Sequence, residues 1–341
     1  MQTQVSRNPL VSVCLITYNH APYIAQAIES VLAQNVDFEY EILIGEDDSS
    51  DGTKEIVLDY QNRYPGTIRV FRHSREEVIY VNGLATGRWN YFDTLSHAKG
   101  KYVAFLEGDD YWTDTTKLQK QVNVLENQPE LSVCTHKTEY VDENGHGFVP
   151  ARYLGGSTPR MFSLRHVLPG LELHANSWLF RRIDPLRHPR RALLLKLPGA
   201  DDSLMWVLLT IGNGCCLNDC MSAYRINSGG TWTSRSRLHK QFERLQLRIA
   251  ALEFAGWRRV PQLAVIIGGD ALRLLLIVLT DCIRGRDLQA VRQTLALNAV
   301  QETMSKYSVA HVCLVAVLLS PALLLAWLGD RLCALPNRAN C

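Results

Sequence analysis

The chain has 341 residues, 47% hydrophobic and 21% charged, proportions of a folded protein that exclude a disordered one. Its formal net charge of +2, from 36 Lys/Arg and 34 Asp/Glu, gives no general case for nucleic-acid binding. The charge is uneven: Arg235 to Arg292 holds eleven Lys/Arg against five Asp/Glu, an excess of six, so the remainder is net acidic. A basic stretch beside an acidic half suits either an anionic membrane surface or a solvated basic face. Nine irregularly spaced cysteines, and an amino-terminal MQTQVSRNPLVSV without a long apolar run, read as reduced thiols in a cytosolic compartment. Cys215, Cys216 and Cys220 have no second pair at a zinc spacing, so structural zinc is not expected.

In chain order, residues 10–17 (LVSVCLIT) are short, β-branched and apolar on both alternations, as in a strand buried on both faces. Ile24, Ala27, Ile28, Val31 and Leu32 then mark one face of a helix. Residues 40–45 (YEILIG) predict a second strand, ending in EDDSSDGT, with Asp51 placed to cap a helix near 54–64. Residues 67–72 and 102–106 predict two more strands. The loop Glu107-Gly108-Asp109-Asp110 leads to a helix over about 114–127, and 131–136 predict a fifth strand. This alternation predicts an α/β fold, a mainly parallel sheet with helices on both faces. Right-handed crossovers then place segments 17–20, 46–51 and 107–110 along one edge, the ligand edge of such sheets.

Three carboxylates within four residues repel one another unless a cation sits among them. Mg2+ or Mn2+, held by one or two carboxylates with phosphate oxygens and water, resolves that repulsion, and Gly108 permits close approach of a ligand. A solvated turn capping the next helix is the plainer alternative. The second cluster, at Glu46 and Asp47, ends a different strand on the same edge, where a carboxylate can accept a hydrogen bond from a base or ribose. The chain has no G-x-x-x-x-G-K-[ST], no G-x-G-x-x-G after the first strand, no H-E-x-x-H and no G-x-S-x-G. Carboxylates plus a metal at such an edge point to a nucleoside diphosphate held through the metal. A nucleotidyltransferase or a non-catalytic nucleotide-sugar-binding scaffold would use similar loops.

The segments VSVCLITYNHAPYIAQAIESVLAQ, EILIGEDDSSDGT and AKGKYVAFLEGDDYW, in that order, resemble family 2 glycosyltransferases of the GT-A fold. The resemblance is close over residues 10–136 and weaker to about 233. It implies an enzyme moving a sugar from a nucleotide diphosphate donor to a hydroxyl acceptor, usually with inversion. By position it places Thr17, Tyr18 and Asn19 against the nucleotide, with Glu46 beside them and Asp47 on the base. Asp109 and Asp110 match the acidic pair that holds ribose and metal, and Glu107 stands where many members have Asp. Residues 197–204 (LPGADDSL) resemble the block carrying the catalytic base, with Asp201 the first choice and Asp202 the second. Read without the resemblance, both are ordinary helix-capping residues. Arg225 falls near the diphosphate or in a buried ion pair, and Trp178 and Trp232 on a sugar or in the core. Asn227 stands close to where many relatives have His.

Residues 309–328 are nearly continuous in apolar side chains, interrupted by His311, Ser320 and Pro321. At about 1.5 Å per residue such a helix matches a hydrocarbon core of roughly 30 Å. Residues 260–283 carry Asp270, Arg273 and Asp281 and suit a surface helix better. A single span, an interfacial hairpin and a helical subdomain all fit the tail. The expected organisation is a catalytic domain over 1–233, split into a nucleotide-sugar half (10–136) and an acceptor half (137–233), then a helical, membrane-leaning region over 234–341. The expected acceptor is a saccharide or lipid-linked saccharide in bacterial surface polysaccharide synthesis. The expected location is cytoplasmic, at or anchored in the inner face of the cell membrane.

Overall fold

The Val- and Ile-rich runs of the amino-terminal half form strands because β-branched side chains fill a pleated core on both faces. A computed structural model describes residues 8–147, 161–168, 171, 173–197, 199–227, 235–255 and 270. The chain divides into two compact units, Met1–Thr233 and Ser234–Cys341.

The first unit opens with β1 (Val11–Thr17), α1 (Ile24–Leu32), β2 (Tyr40–Glu46), α2 (Thr53–Arg63), β3 (Ile68–Arg72) and a 3-10 turn at Arg75–Glu77. A hairpin of β4 (Ile79–Val81) and β5 (Leu84–Thr86) follows, then α3 (Arg88–Ser96), β6 (Tyr102–Glu107), β7 (Tyr111–Trp112), α4 (Lys117–Asn127) and β8 (Leu131–Val141). The unit continues through β9 (Met161–Phe162), α5 (Leu164–Val167), a 3-10 turn at Ala175–Ser177 and β10 (Leu179–Arg181). It closes with α6 (Arg191–Lys196), α7 (Ala200–Ile211) and β11 (Asn213–Arg225). In the second unit α8 spans Arg237–Ala255.

Strands β3, β2, β1 and β6 are parallel neighbours. β10 enters antiparallel between β6 and β8, β11 runs parallel to β8, and β7 and β9 lie antiparallel on β11. Val11, Val13 and Leu15 of β1 pack with Ile24, Ile28 and Val31 of α1, Val57 of α2 and Leu118 and Val122 of α4. On the opposite face Phe105 of β6 stacks on Tyr91 of α3, ring centroids 4.1 Å apart, and on Phe180 of β10 at 5.6 Å. Helices thus cover both faces of a mainly parallel sheet.

The sequence boundaries differ from these in a few places with physical causes. α4 starts at Lys117 rather than near 114, because Asp114 Oδ1 accepts from the Thr116 amide and hydroxyl, both at 2.7 Å, and turns the chain first. Asp51 does take the amide of Thr53, at 3.0 Å, at the start of α2. The sequence reading lacked the β4–β5 hairpin, α3, β7, β9, α5, β10, α6 and β11. The hairpin turns on Asn82-Gly83, with φ of 52° and 74°, a two-residue turn those residues favour.

In the second unit, Arg235 and His239 both approach the buried Glu243, the His239 Nε2 at 3.4 Å. Among the described residues no helix is long and apolar enough to cross a membrane. Residues 309–328 lie outside the described residues, as do 260–283 apart from Asp270.

Candidate active site

The parallel register sets Thr17 beside Glu46 and Ile16 beside Glu107, so the loops after β1, β2 and β6 leave the sheet together. Asn19, at φ 54°, ties the first two loops: its Oδ1 accepts from the Ser50 amide and its own amide donates to Ser49 Oγ, both at 2.9 Å. His20 and Ala21 donate backbone amides to Thr53 Oγ1 (2.8 Å) and Asp51 Oδ2 (2.9 Å) across the same junction. Glu46 is fully buried, and its two oxygens accept from the amides of Ser49 (2.6 Å) and Asp48 (3.2 Å). Its charge therefore shapes the turn that presents Asp47. The buried Thr17 hydroxyl lies 3.3 Å from His20 Nδ1. A Cβ on Gly108 would come within 2.6 Å of Thr17 Oγ1 and 2.8 Å of His20 Nδ1, so only glycine lets the loops after β1 and β6 meet.

Asp47 is buried and receives a 2.6 Å hydrogen bond from Arg75 Nη1. Burial pushes its carboxyl up, and the charges of Arg75 and His73 pull it back. The Arg75 guanidinium also lies 4.3 Å from the ring centroid of Tyr18, whose side is open to solvent. A carboxylate that can accept from a base N–H thus sits beside an exposed aromatic that can stack on that base. Sequence reasoning missed Arg75. Its signal was its place just after β3, on the same edge as the other loops.

The acidic loop after β6 separates into distinct roles. Asp110 is 1% exposed, and its oxygens accept from the Arg225 amide (2.9 Å) and Asn176 Nδ2 (2.7 Å). Burial, then the Asp109 and Glu107 charges, push its carboxyl well above the usual range. Expected on the metal, Asp110 is instead occupied by protein donors. Asp109 is less enclosed; its Oδ2 accepts from Asn227 Nδ2 at 2.8 Å and lies 3.8 Å from His20 Nε2. Burial, then Asp109 and Asp201, push Glu107 up to about 8. Glu107, Asp109 and Asp201 therefore share one field.

Arg225 is 4% exposed. Its guanidinium donates to the carbonyls of Asp109 (2.9 Å), Asp142 (3.1 Å) and Glu143 (2.8 Å) and to Gln26 Oε1 (2.8 Å), and it lies 4.6 Å from the Tyr23 ring centroid. In this arrangement it clamps the acidic loop to the ends of β8 and β11 rather than reaching out to a diphosphate. Asn176 is a hub: besides Asp110, it accepts from Thr138 Oγ1 (3.1 Å) and Ser222 Oγ (3.0 Å), and its carbonyl accepts from Trp112 Nε1 (3.0 Å).

Asp201 and Asp202 occupy the first turn of α7. Gly199 before them has φ 73°, and a Cβ there would meet Asp202 Oδ2 at 2.5 Å. Asp202 thus folds back over the helix start, whereas Asp201 acts electrostatically on Glu107 and on the buried Tyr91. Trp178 is a core residue, 2% exposed, with Nε1 donating to the Leu173 carbonyl at 3.2 Å. Trp232 lies outside the described residues. His174 bonds Tyr140 and packs on the Tyr224 ring at 4.4 Å, and burial lowers it to about 4.

Among the described residues no three His, Cys, Asp or Glu side chains are disposed to hold a metal by themselves. Mg2+ is ordinarily held by one or two carboxylates and completed by substrate phosphates. Glu107 and Asp109, mutually repelling at the mouth of the loop, fit that part of a donor set.

The fold and site define an α/β protein whose acidic loops meet at the carboxyl edge of parallel strands. Residues 12–184 match the model of glycosyl transferase family 2, and the chain belongs to that family. An uncharacterized protein of Mycobacterium bovis is 31% identical over 236 residues, covering 68% of this chain and 63% of its own length. The chain thus spans just under two thirds of that relative. An Escherichia coli UDP-Glc:alpha-D-GlcNAc-diphosphoundecaprenol beta-1,3-glucosyltransferase is 33% identical over 116 residues, 34% of this chain and 41% of that one. A mannosyltransferase from Pyrobaculum calidifontis, solved with GDP-Man and Mn2+, superposes with a TM-score of 0.55 at 17% identity, covering 94% of this chain and 88% of that one. That likeness establishes a GT-A-type fold.

Proposed function

We propose that the chain is an inverting glycosyltransferase that moves a sugar from a nucleoside diphosphate donor to a hydroxyl acceptor. The observation that carries this reading is the parallel register that brings the loops after β1, β2 and β6 out together, with Asp47 bonded to Arg75 and Arg75 set against the exposed Tyr18. Tyr18 and Asp47 bind the base, Thr17 and Asn19 shape the loop beneath the nucleotide, and Glu46 holds the turn that carries Asp47. Asp109 and Glu107 would hold Mg2+ or Mn2+ together with the donor's phosphates. The chemistry such an ion supplies is neutralisation of the leaving diphosphate.

Asp201 is the general base. It accepts the proton of the acceptor hydroxyl while that oxygen bonds to the anomeric carbon. The bond from that carbon to the diphosphate breaks, and its electron pair leaves with the nucleoside diphosphate. Asp110 and Arg225 keep the loop in place. A lipid-linked saccharide of the bacterial surface is the acceptor class, a reading supported by the diphosphoundecaprenol named for the Escherichia coli relative.

With donor and acceptor in hand, NMR of the product should show inversion at the anomeric carbon. Asp201→Asn should lower kcat by about 100-fold or more with donor KM unchanged, the usual scale of general-base loss. Asp202→Asn should keep most of the activity. Retention of configuration, or an active Asp201→Asn enzyme, contradicts the assignment.

A further inference from the structure

Phe105 and Glu107 stand two residues apart on β6, so their side chains share one face of the sheet. Helix α3 covers that face. Tyr91 stacks on Phe105 with ring planes 16° apart and centroids at 4.1 Å, and Phe92 meets the Tyr91 ring edge-on at 5.1 Å. The neighbouring Asn90 fixes the helix to the end of β2, its Nδ2 donating to the Gly45 carbonyl at 2.9 Å. A Cβ on Gly45 would come within 1.8 Å of Asn90 Oδ1, so the glycine is what lets α3 lie this close to the sheet.

The same helix is tied to the segment that leads to Asp201. The buried Arg88, first residue of α3, donates from Nη1 to the Leu194 carbonyl of α6 at 2.7 Å. Helix α7, with Asp201 in its first turn, follows α6 directly. Tyr91 lies one turn along α3 from Arg88, between the end of β6 and the start of α7.

Tyr91 is 5% exposed, and its enclosed hydroxyl has no hydrogen-bond partner among the described residues. Stacking on Phe105 needs only the ring, and a buried hydroxyl left unsatisfied is a cost that phenylalanine would avoid. Burial, then the negative charges of Asp201 and Glu107, hold the phenol well above its usual range, so it keeps its proton and is available as a donor. Carboxylates are the strongest acceptors for such a donor. The chemistry proposed so far gives this hydroxyl no part.

We infer that Tyr91 is a positioning residue for the general base: its O–H donates to one oxygen of Asp201 and leaves the other oxygen to face the acceptor hydroxyl. The bond forms when the Asp201 carboxylate, on the first turn of α7, rotates onto the enclosed hydroxyl. A charge-assisted hydrogen bond is directional, so it fixes the angle at which the base meets the proton it takes. Tyr91 keeps its own proton throughout, and the acceptor's proton goes to Asp201. The inference rests on the reading of Asp201 as the base, because Tyr91 acts through that carboxylate and needs no contact with substrate.

The test is a double-mutant cycle on the full-length protein. It reads nucleoside diphosphate released, with Mn2+, from whichever UDP-, GDP- or dTDP-sugar the native enzyme cleaves fastest, water standing in for the acceptor hydroxyl. Tyr91→Phe should lower kcat about tenfold with donor KM unchanged, the scale of a lost hydrogen bond to a charged group. Its urea midpoint should equal or exceed the native one, since Phe keeps the ring and removes an unsatisfied hydroxyl. Asp201→Asn/Tyr91→Phe should be no slower than Asp201→Asn alone, because residues that act as a unit are not additive. Native kcat in Tyr91→Phe beside a slow Asp201→Asn would overturn this inference alone, as would a further tenfold loss in the double variant. An Asp201→Asn enzyme as fast as the native one, or folded native protein that cleaves no donor, would overturn the underlying reading and this inference with it.

Discussion

Lys117 is the residue whose chemistry departs furthest from its place in the sequence. It is fully buried in α4, with Nζ 2.9 Å from Gln121 Oε1 and 4.0 Å from the Trp112 ring centroid. Burial brings its amine down from 10.5 to about 7. A folded-state value below the unfolded one means that the charged form is disfavoured by folding. The cost is therefore fully present below pH 7 and disappears as pH rises toward the unfolded value. At about 1.4 kcal/mol per pH unit it amounts to roughly 5 kcal/mol. Lys117→Met should then raise stability by about 2 kcal/mol or more at pH 6.5, allowing for the lost ring contact. Urea denaturation of both proteins checks this: the advantage should shrink between pH 6.5 and 9.5. A constant gap, or a less stable variant, contradicts the buried-charge account. Nothing in KLQKQ marks this lysine as buried, because position on a helix face does not reveal what packs above it.

At the scale of elements, the site depends on the junction of β6, β8 and β11. Asp110 links Asn176 and Arg225, partners 66 and 115 positions away in the chain. Asp110→Asn would turn an acceptor into a donor facing the Arg225 amide or the Asn176 side-chain amide. The expected loss is about 1–3 kcal/mol of stability, the range for an unsatisfied buried polar group, together with reduced turnover. Asp109→Asn should leave the urea midpoint nearly unchanged, and equal midpoints for the two variants would contradict the division of roles. This junction explains what was legible in the sequence. The strands ending at Thr17, Glu46 and Glu107 could be read because each is a local apolar run followed by a polar turn. The hairpin carried a readable signal in Asn82-Gly83. β10, only three residues long, and the roles of Arg75, Asn176 and Arg225 depend on contacts between distant segments, which periodicity does not encode. Arg225 looked suited to a diphosphate for the same reason: its charge is visible in sequence, and the carbonyls that enclose it are not.

At the scale of the whole molecule, parallel strands of the first unit bring the loops after β1, β2 and β6 to one edge. Burial of apolar side chains on both sheet faces fixes the strands, and the strands fix the loops, so the site's geometry follows from the core. The second unit contributes α8, with Glu243 buried against Arg235 and His239. Membership of glycosyl transferase family 2 and the GT-A-type fold agree with the reading from the three motif blocks, which cover the same strands and loops.

The most direct test of the central claim is donor turnover by the purified protein across a panel of UDP-, GDP- and dTDP-sugars, with and without Mn2+ or Mg2+. Slow, metal-dependent release of the nucleoside diphosphate from one donor is expected, lost in Asp109→Asn while that variant still unfolds at the native urea midpoint. Folded protein that binds none of these donors with metal present, or undiminished release by Asp109→Asn, would contradict the account.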